Sequence, residues 1–432
     1  MIRPTPAHIA WADSEIGVII HYDLTVFEPS YDFRKQRGYH PDPAIFQPSH
    51  LDTDQWLETA KAAGAGYAIL VAKHCTGFSL WPTQAHDYSV RSSPWKNGQG
   101  DLVADFIRSC KKYDIKPGLY YSVSCNAYCG VDNPGTVLSG TPEDQQRYNE
   151  MVLQQVTELW SNYGPLFEIW FDGGVLPPHL GGPDIVPVLQ KLQPQAVVFQ
   201  GPPEAASLIR WAGNESGEVN YPCWSTIHPP SVDASSVENT SASGSPSGNL
   251  WSPAEADMPN RDGERAFQGG WFWKEGEDHL VLSPEHLLQC YYRTVGHNAN
   301  LLLGMAIDRT GRVPEADVRQ FRAFGQLVQR HFGSPLATTR GEGDCITLDL
   351  GGAHLVDRVT LMEEIREGER VRSYELEGWN GDQWLSLVTG SAIGHKKIDR
   401  FSPLTLSKLR VRCLEFSATP MLRAFSAYEA LN

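Results

Sequence analysis

Short apolar runs recur through the first three-quarters of this chain, most of them ending in a polar residue, with longer amphipathic stretches between them. That alternation limits the folds open to it. The runs are Ile16–Ile20 before His21, Tyr67–Ala72 before Lys73-His74, Lys116–Tyr121 before Ser122, and Leu166–Phe171 before Asp172. They continue with Ala196–Phe199 before Gln200, Leu208–Trp211 before Gly213-Asn214-Glu215, Trp271–Trp273, and Asn300–Leu303 before Gly304. Helical periodicity falls at about 53–63, 101–113 (with Asp101 as N-cap), 142–162, 184–193, 284–294 and 314–332. Alternating strand and helix predicts a parallel sheet, and eight strands predict a (β/α)8-like barrel over 1–335. No helix is evident between the sixth and seventh runs, so the barrel is expected to lack helices. From about 340 the pattern becomes short alternating runs split by turns such as Asn380-Gly381, which predicts an all-β sandwich domain over 336–432.

Bulk properties narrow the partners. Thirty-six basic and 51 acidic residues give a net charge of −15, which argues against nucleic acid and anionic membranes. The eight cysteines are scattered, as expected of reduced thiols rather than a disulfide framework. The Cys125-x-x-x-Cys129 pair has no second ligand pair, so it is poor evidence for zinc, and a local disulfide is the other reading. The N-terminus has no apolar stretch of signal-peptide type, so a cytoplasmic protein is expected, with a secreted or periplasmic protein whose signal has been removed as the alternative; no run approaches a membrane span. The Ser-rich stretch 225–248 is read either as a linker or as a mobile loop over a barrel mouth.

Barrel active sites lie at the C-terminal ends of the strands. There the sequence gathers His21, His74, Tyr120 and Tyr121, Asp172, Gln200, Glu215 and the Trp271/Trp273 pair. In Leu166-Phe-Glu-Ile-Trp-Phe-Asp172-Gly-Gly, strand alternation puts Glu168, Trp170 and Asp172 on one face. The two glycines permit a sharp turn with room for a ligand. Two carboxylates, neutral hydrogen-bonding groups and Trp faces suit a glycosidase, which needs one carboxyl group to attack or activate water and another to protonate the leaving oxygen. A strand-ending Asp that only caps a loop is the plainer reading of Asp172. Glu168, deeper on the same face, is read as a buried structural carboxylate. Phosphate-binding glycine motifs and a Gly-x-Ser-x-Gly elbow are absent, and no cofactor is expected. His21, Asp23, His74 and Asp172 were they ligands would make a metal-dependent hydrolase, but the spacing lacks a His-x-His after the first strand.

Taken together these segments resemble the α-L-fucosidases of glycoside hydrolase family 29. The resemblance is carried by Ile19-Ile20-His21, Lys73-His-Cys-Thr-Gly-Phe-Ser-Leu-Trp81, Gly118-Leu-Tyr-Tyr-Ser122, Trp170-Phe-Asp-Gly-Gly174, Gly270-Trp-Phe-Trp273 and Asn300-Leu-Leu-Leu-Gly304. It implies a catalytic barrel followed by a β-sandwich. It implies retaining hydrolysis with Asp172 as nucleophile and Glu215 as general acid/base, with Glu218 as the fallback acid. His21, His74, Tyr121 or its neighbour Tyr120, Trp170 and Trp271 would bind fucose, with no metal. Cys75 stands where the broad-specificity branch has a second His, and Tyr22 where it has a Trp. Both lean toward the branch that removes α-1,3/1,4-linked fucose from Lewis-type oligosaccharides. A catalytically idle fucose-binding lectin and the metal-dependent hydrolase are the alternatives.

Overall fold

The computed structural model describes residues 1–36, 38–229, 242–262 and 270–431. Eight parallel strands close into a barrel, each hydrogen-bonded to its neighbours in chain order. They are β1 (Ile16–His21), β2 (Tyr67–Lys73), β3 (Lys116–Tyr121), β4 (Glu168–Trp170), β5 (Val197–Phe199), β6 (Leu208–Trp211), β7 (Ala254–Met258) and β8 (Asn300–Ala306). Every residue of β1, β2, β7 and β8 is buried, as parallel strands covered on both faces require.

One strand is not where the sequence suggested. The seventh is Ala254-Glu-Ala-Asp-Met258, and Trp271–Trp273 is a bend outside the sheet. Glu255 and Asp257 disguise β7 as a polar segment, yet both point inward and are buried. The other strands and the helices fall close to expectation. The helices are Thr53–Ala62, Leu102–Tyr113, Pro142–Asn162, Val186–Leu192, Pro284–Thr294 and Glu315–Phe332. Asp101 caps its helix by accepting from the Ala104 N–H, and Thr141 and Ser283 do the same at theirs. Among the described residues no helix lies between β5 and β6 or between β6 and β7. Half of the Ser-rich stretch, 230–241, lies outside the described residues. No described helix is long and apolar enough to cross a membrane.

A further helix, Pro6–Ala12, escaped the sequence reading. Its Thr5 cap and His8 form a capping box. His8 bonds the Leu208 carbonyl, and buried Trp11 donates its indole N–H to Glu168. The helix thus closes the N-terminal end of the barrel. The barrel interior is an aromatic-rich core of its own, containing Trp11, Tyr67, Tyr120, Trp170 and Phe199. It is separate from the larger core between strands and outer helices.

The C-terminal strands form one six-stranded antiparallel sheet rather than two separately bonded layers. Two long strands, Cys345–Glu363 and Lys397–Phe416, carry register shifts near Asp349/His354 and Val356/Arg358. Such irregularities bend a strand and increase its twist. The sheet encloses its own apolar core. It joins the barrel through buried contacts, where Asn298 donates to Glu369 at 2.6 Å and Ser225 N–H donates to the same carboxylate, and through a more exposed set in which Asp13 pairs with His395 and Arg423.

Candidate active site

A pocket of about 470 Å3 opens at the C-terminal end of the barrel. Its lining includes His21, His74, Tyr120, Trp170, Asp172, Glu215 and Trp271, brought together from five strand ends and the bend after β7. Asp172 follows β4, and Gly173 and Gly174 continue with φ of 68° and 77°, conformations that glycine adopts without strain. Gly173 N–H donates to the Gln200 side chain at 3.0 Å, and Ser124 donates to the Asp172 carbonyl at 2.5 Å. The loop carrying the carboxylate is therefore fixed from two sides, and Gln200 acts as a brace rather than a wall of the pocket.

The tyrosine that reaches the pocket is Tyr120, not Tyr121. Tyr120 pairs in register with Trp170, so it shares the inward face with Trp170 and Asp172. Its hydroxyl donates to Asp172 Oδ2 at 2.7 Å. Tyr121 points outward, donates to Gln155 at 2.7 Å, and packs under the Lys73 ammonium, 4.3 Å from its ring centre. A continuous aromatic stack forms one wall. His74 lies on Tyr120 (5.7 Å, 16°), Tyr120 on Trp170 (5.2 Å, 18°), and Trp170 on Phe199 (4.0 Å, 5°). Trp170 also donates its N–H down to Glu255 at 2.9 Å.

The opposite wall is built by the bend at 270–274. Trp271 packs 5.0 Å from His21 and donates to Glu215 Oε2 at 3.2 Å. It fits only because Gly304 lacks a side chain: a Cβ there would come within 2.9 Å of the indole. Phe272 lines the pocket, whereas Trp273 faces Arg309 outside it.

Electrostatics separate the groups. Burial holds the Glu215 carboxyl above the ordinary carboxylate range; the Trp271 hydrogen bond opposes this and the charge of Asp172 adds to it. Burial lowers His74 to about 3, helped by Lys73 and Arg34. It also drives His21 well down, helped by His74. Both imidazoles are neutral at physiological pH, able to accept or donate a hydrogen bond at each nitrogen according to tautomer. Their Nδ1 atoms are buried and have no hydrogen-bond partner among the described residues.

Several expectations need correction. Glu218, the fallback acid, lies outside the pocket and pairs with Arg293 at 2.6 Å on the surface. Tyr22 makes no pocket wall; it is fully buried among Phe27, Phe46 and Trp56. Asp23 accepts from the Leu24 N–H and from Thr76, so it serves the loop after β1 and not a metal set with His21. Two pocket elements were missed. Asp257, on the disguised strand β7, is a third carboxyl in the lining; it accepts from Trp211 at 2.7 Å. The segment 29–35, including Arg34 and Lys35, forms the rim; no periodic or motif signal marks it. All eight cysteines are free thiols. Cys125 faces Cys75, while Cys129 contacts Met151.

Comparison with known proteins now bears on this site. The Alpha-L-fucosidase family model matches residues 5–332. Alpha-L-fucosidase 1 of Arabidopsis thaliana is 29% identical over 445 residues, covering 92% of this chain and 81% of that protein. A crystal structure from Bacteroides thetaiotaomicron VPI-5482, ascribed to an α-L-fucosidase, superposes with a TM-score of 0.93 at 35% identity and full coverage of both chains. A glycoside hydrolase 29 family member from an unknown rumen bacterium gives 0.82 at 29% identity, covering all of this chain and 78% of that one.

Proposed function

The chain belongs to the α-L-fucosidases of glycoside hydrolase family 29, and on that premise we propose that it is a retaining enzyme that releases α-1,3/1,4-linked L-fucose from branched, Lewis-type oligosaccharides. The observation that carries the proposal is the pairing of Asp172 and Glu215 in one pocket with opposite surroundings. Asp172 accepts a hydrogen bond from Tyr120, which favours its ionised form. Glu215 is held toward its protonated form by burial. One carboxylate is thus ready to attack and one acid is ready to donate.

In the proposed first step Asp172 forms a bond to the anomeric carbon while the glycosidic C–O bond breaks. The Glu215 proton passes to the leaving oxygen, leaving a covalent fucosyl-enzyme and a free acceptor sugar. In the second, Glu215 takes a proton from water as that water attacks the same carbon. The Asp172 ester bond breaks, fucose leaves with its original configuration, and Glu215 is protonated again. Trp271 positions Glu215, and His21, His74 and Trp170 supply hydroxyl partners and apolar faces. Packing of the C6 methyl of fucose against Trp271 or Phe272 would be worth on the order of 1–3 kcal/mol against an unmethylated sugar. The preference for branched substrates rests on Cys75 alone, because Tyr22 is away from the pocket.

The test is Asp172→Ala assayed on a Lewis-type trisaccharide with and without azide. Turnover should fall by on the order of 10^4-fold or more, and azide should restore it as a fucosyl azide of inverted configuration. Near-normal turnover without azide would remove the nucleophile assignment. A panel of α-1,2-, α-1,3-, α-1,4- and α-1,6-linked fucosides tests the finer claim; preference for the α-1,2 or α-1,6 linkage would overturn it. An idle lectin would bind fucosides and release nothing.

A further inference from the structure

The pocket brings His74 and Asp172, which the proposed hydrolysis uses, beside a thiol that it does not use, Cys75. A ring nitrogen of His74, the Cys75 sulfur and a carboxylate oxygen of Asp172 lie within 4.8 Å of one another. His74 Nδ1 is buried and unpartnered among the described residues. Cys75 lines the pocket and is a free thiol. Its nearest polar neighbours are the Cys125 thiol, a second sulfur, and the Ser122 hydroxyl at 3.8 Å.

We propose that His74, Cys75 and Asp172 form a binding site for a thiophilic divalent cation, zinc above all, and that the ion competes with the sugar for the pocket. One sulfur, one nitrogen and one oxygen suit zinc and not magnesium or calcium, which take oxygen ligands. Tetrahedral zinc with bonds of about 2.0–2.3 Å sets its ligand atoms about 3.6 Å apart. The three groups, none more than 4.8 Å apart, therefore need to close by at most about 1.2 Å, within reach of side-chain torsions, and a water would complete the shell. Bound zinc takes the carboxylate oxygen that would attack the sugar, so it inhibits reversibly and plays no part in turnover. The metal site rests on geometry alone; the competition rests on the proposed fucose pocket.

The test titrates the metal-free protein with Zn2+ by calorimetry and with Co2+ by absorption. One ion per chain is expected, with a thiolate-to-cobalt charge-transfer band. Cys75→Ser should abolish the band and weaken Zn2+ binding by at least about 10-fold, while Cys345→Ser, at an exposed thiol in the other domain, should change neither. Circular dichroism checks that each variant is folded, and Cys75→Ala serves if the serine variant is not. An absent band, or unchanged affinity in a folded Cys75 variant, would overturn the site. L-fucose should raise the apparent Kd for zinc. Cys75-dependent binding that L-fucose leaves untouched would keep the metal site and overturn its competition with the sugar.

Discussion

Two pairs of carboxyl groups sit one above the other in this barrel and meet opposite fates. At the mouth, Asp172 and Glu215 line an open pocket. On the floor, Glu168 and Glu255 are completely buried. There Glu255 accepts from the Tyr67 hydroxyl at 2.6 Å and the Trp170 indole, and Glu168 accepts from Trp11. Burial, then the facing carboxylate, raises Glu168 well above the carboxylate range, and burial raises Glu255 to about 7. Burial therefore favours a shared proton in the floor pair, and Glu168 Oε1 has no hydrogen-bond partner among the described residues. Identical functional groups become a reactive pair where solvent and substrate reach them, and a structural hydrogen-bonded pair where they do not. Trp170 belongs to both regions: its ring walls the pocket and its N–H is anchored to the floor.

The contrast can be broken in order of effect. Replacing Asp172 strikes chemistry and should leave unfolding stability nearly unchanged, beside a rate loss on the order of 10^4-fold; a large stability loss in that variant would erase the distinction between the regions. Glu255→Ala should do the reverse. It strands the Tyr67 and Trp170 donors and the Glu168 proton, at a cost of about 3–5 kcal/mol, readable as a lower denaturant midpoint. Trp271→Phe removes the hydrogen bond to Glu215, and kcat/KM should drop about 10-fold. Since that bond holds the Glu215 pKa down, the alkaline limb of the kcat/KM profile should move to higher pH; a shift to lower pH would contradict the acid role of Glu215.

Glu168→Gln should have the smallest effect on stability at neutral pH, because the amide mimics a protonated carboxyl that accepts from Trp11 and donates to Glu255. Its signature is in the pH dependence. A carboxyl raised in the native state stabilises the fold fully below the unfolded value of about 4.3, and that contribution is lost as pH rises through its native value, which for Glu255 is about 7 and for Glu168 lies well above the carboxylate range. Unfolding midpoints of the parent should fall across that window, and those of the variant should fall less. Equal slopes would show that Glu168 is not the proton carrier.

Much of the site was legible because strand ends are marked by a change from apolar to polar residues. Asp172, His21 and His74 were found that way, and Glu215 by its position after β6. Tyr120 was assigned less well than its neighbour because alternation fixes which residues share a face but not which face is inward; the register of Tyr120 against Trp170 decides it. Strand β7 was missed because acidic residues in an Ala-Glu-Ala-Asp-Met run read as solvent-exposed, and only the indole and phenol donors supplied by β2, β4, β6 and the N-terminal helix make their burial tolerable.

The sequence by itself determined the alternation of strand and helix, the all-β C-terminal region and the placement of a carboxylate before two glycines, since each depends on local periodicity or local backbone freedom. The tertiary structure alone decided which of the acidic residues reach the pocket, which tyrosine holds Asp172, and that Cys75 stands beside His74 and Asp172. Those outcomes depend on burial and on distances between residues up to about 250 positions apart in the chain, and no local pattern encodes a distance.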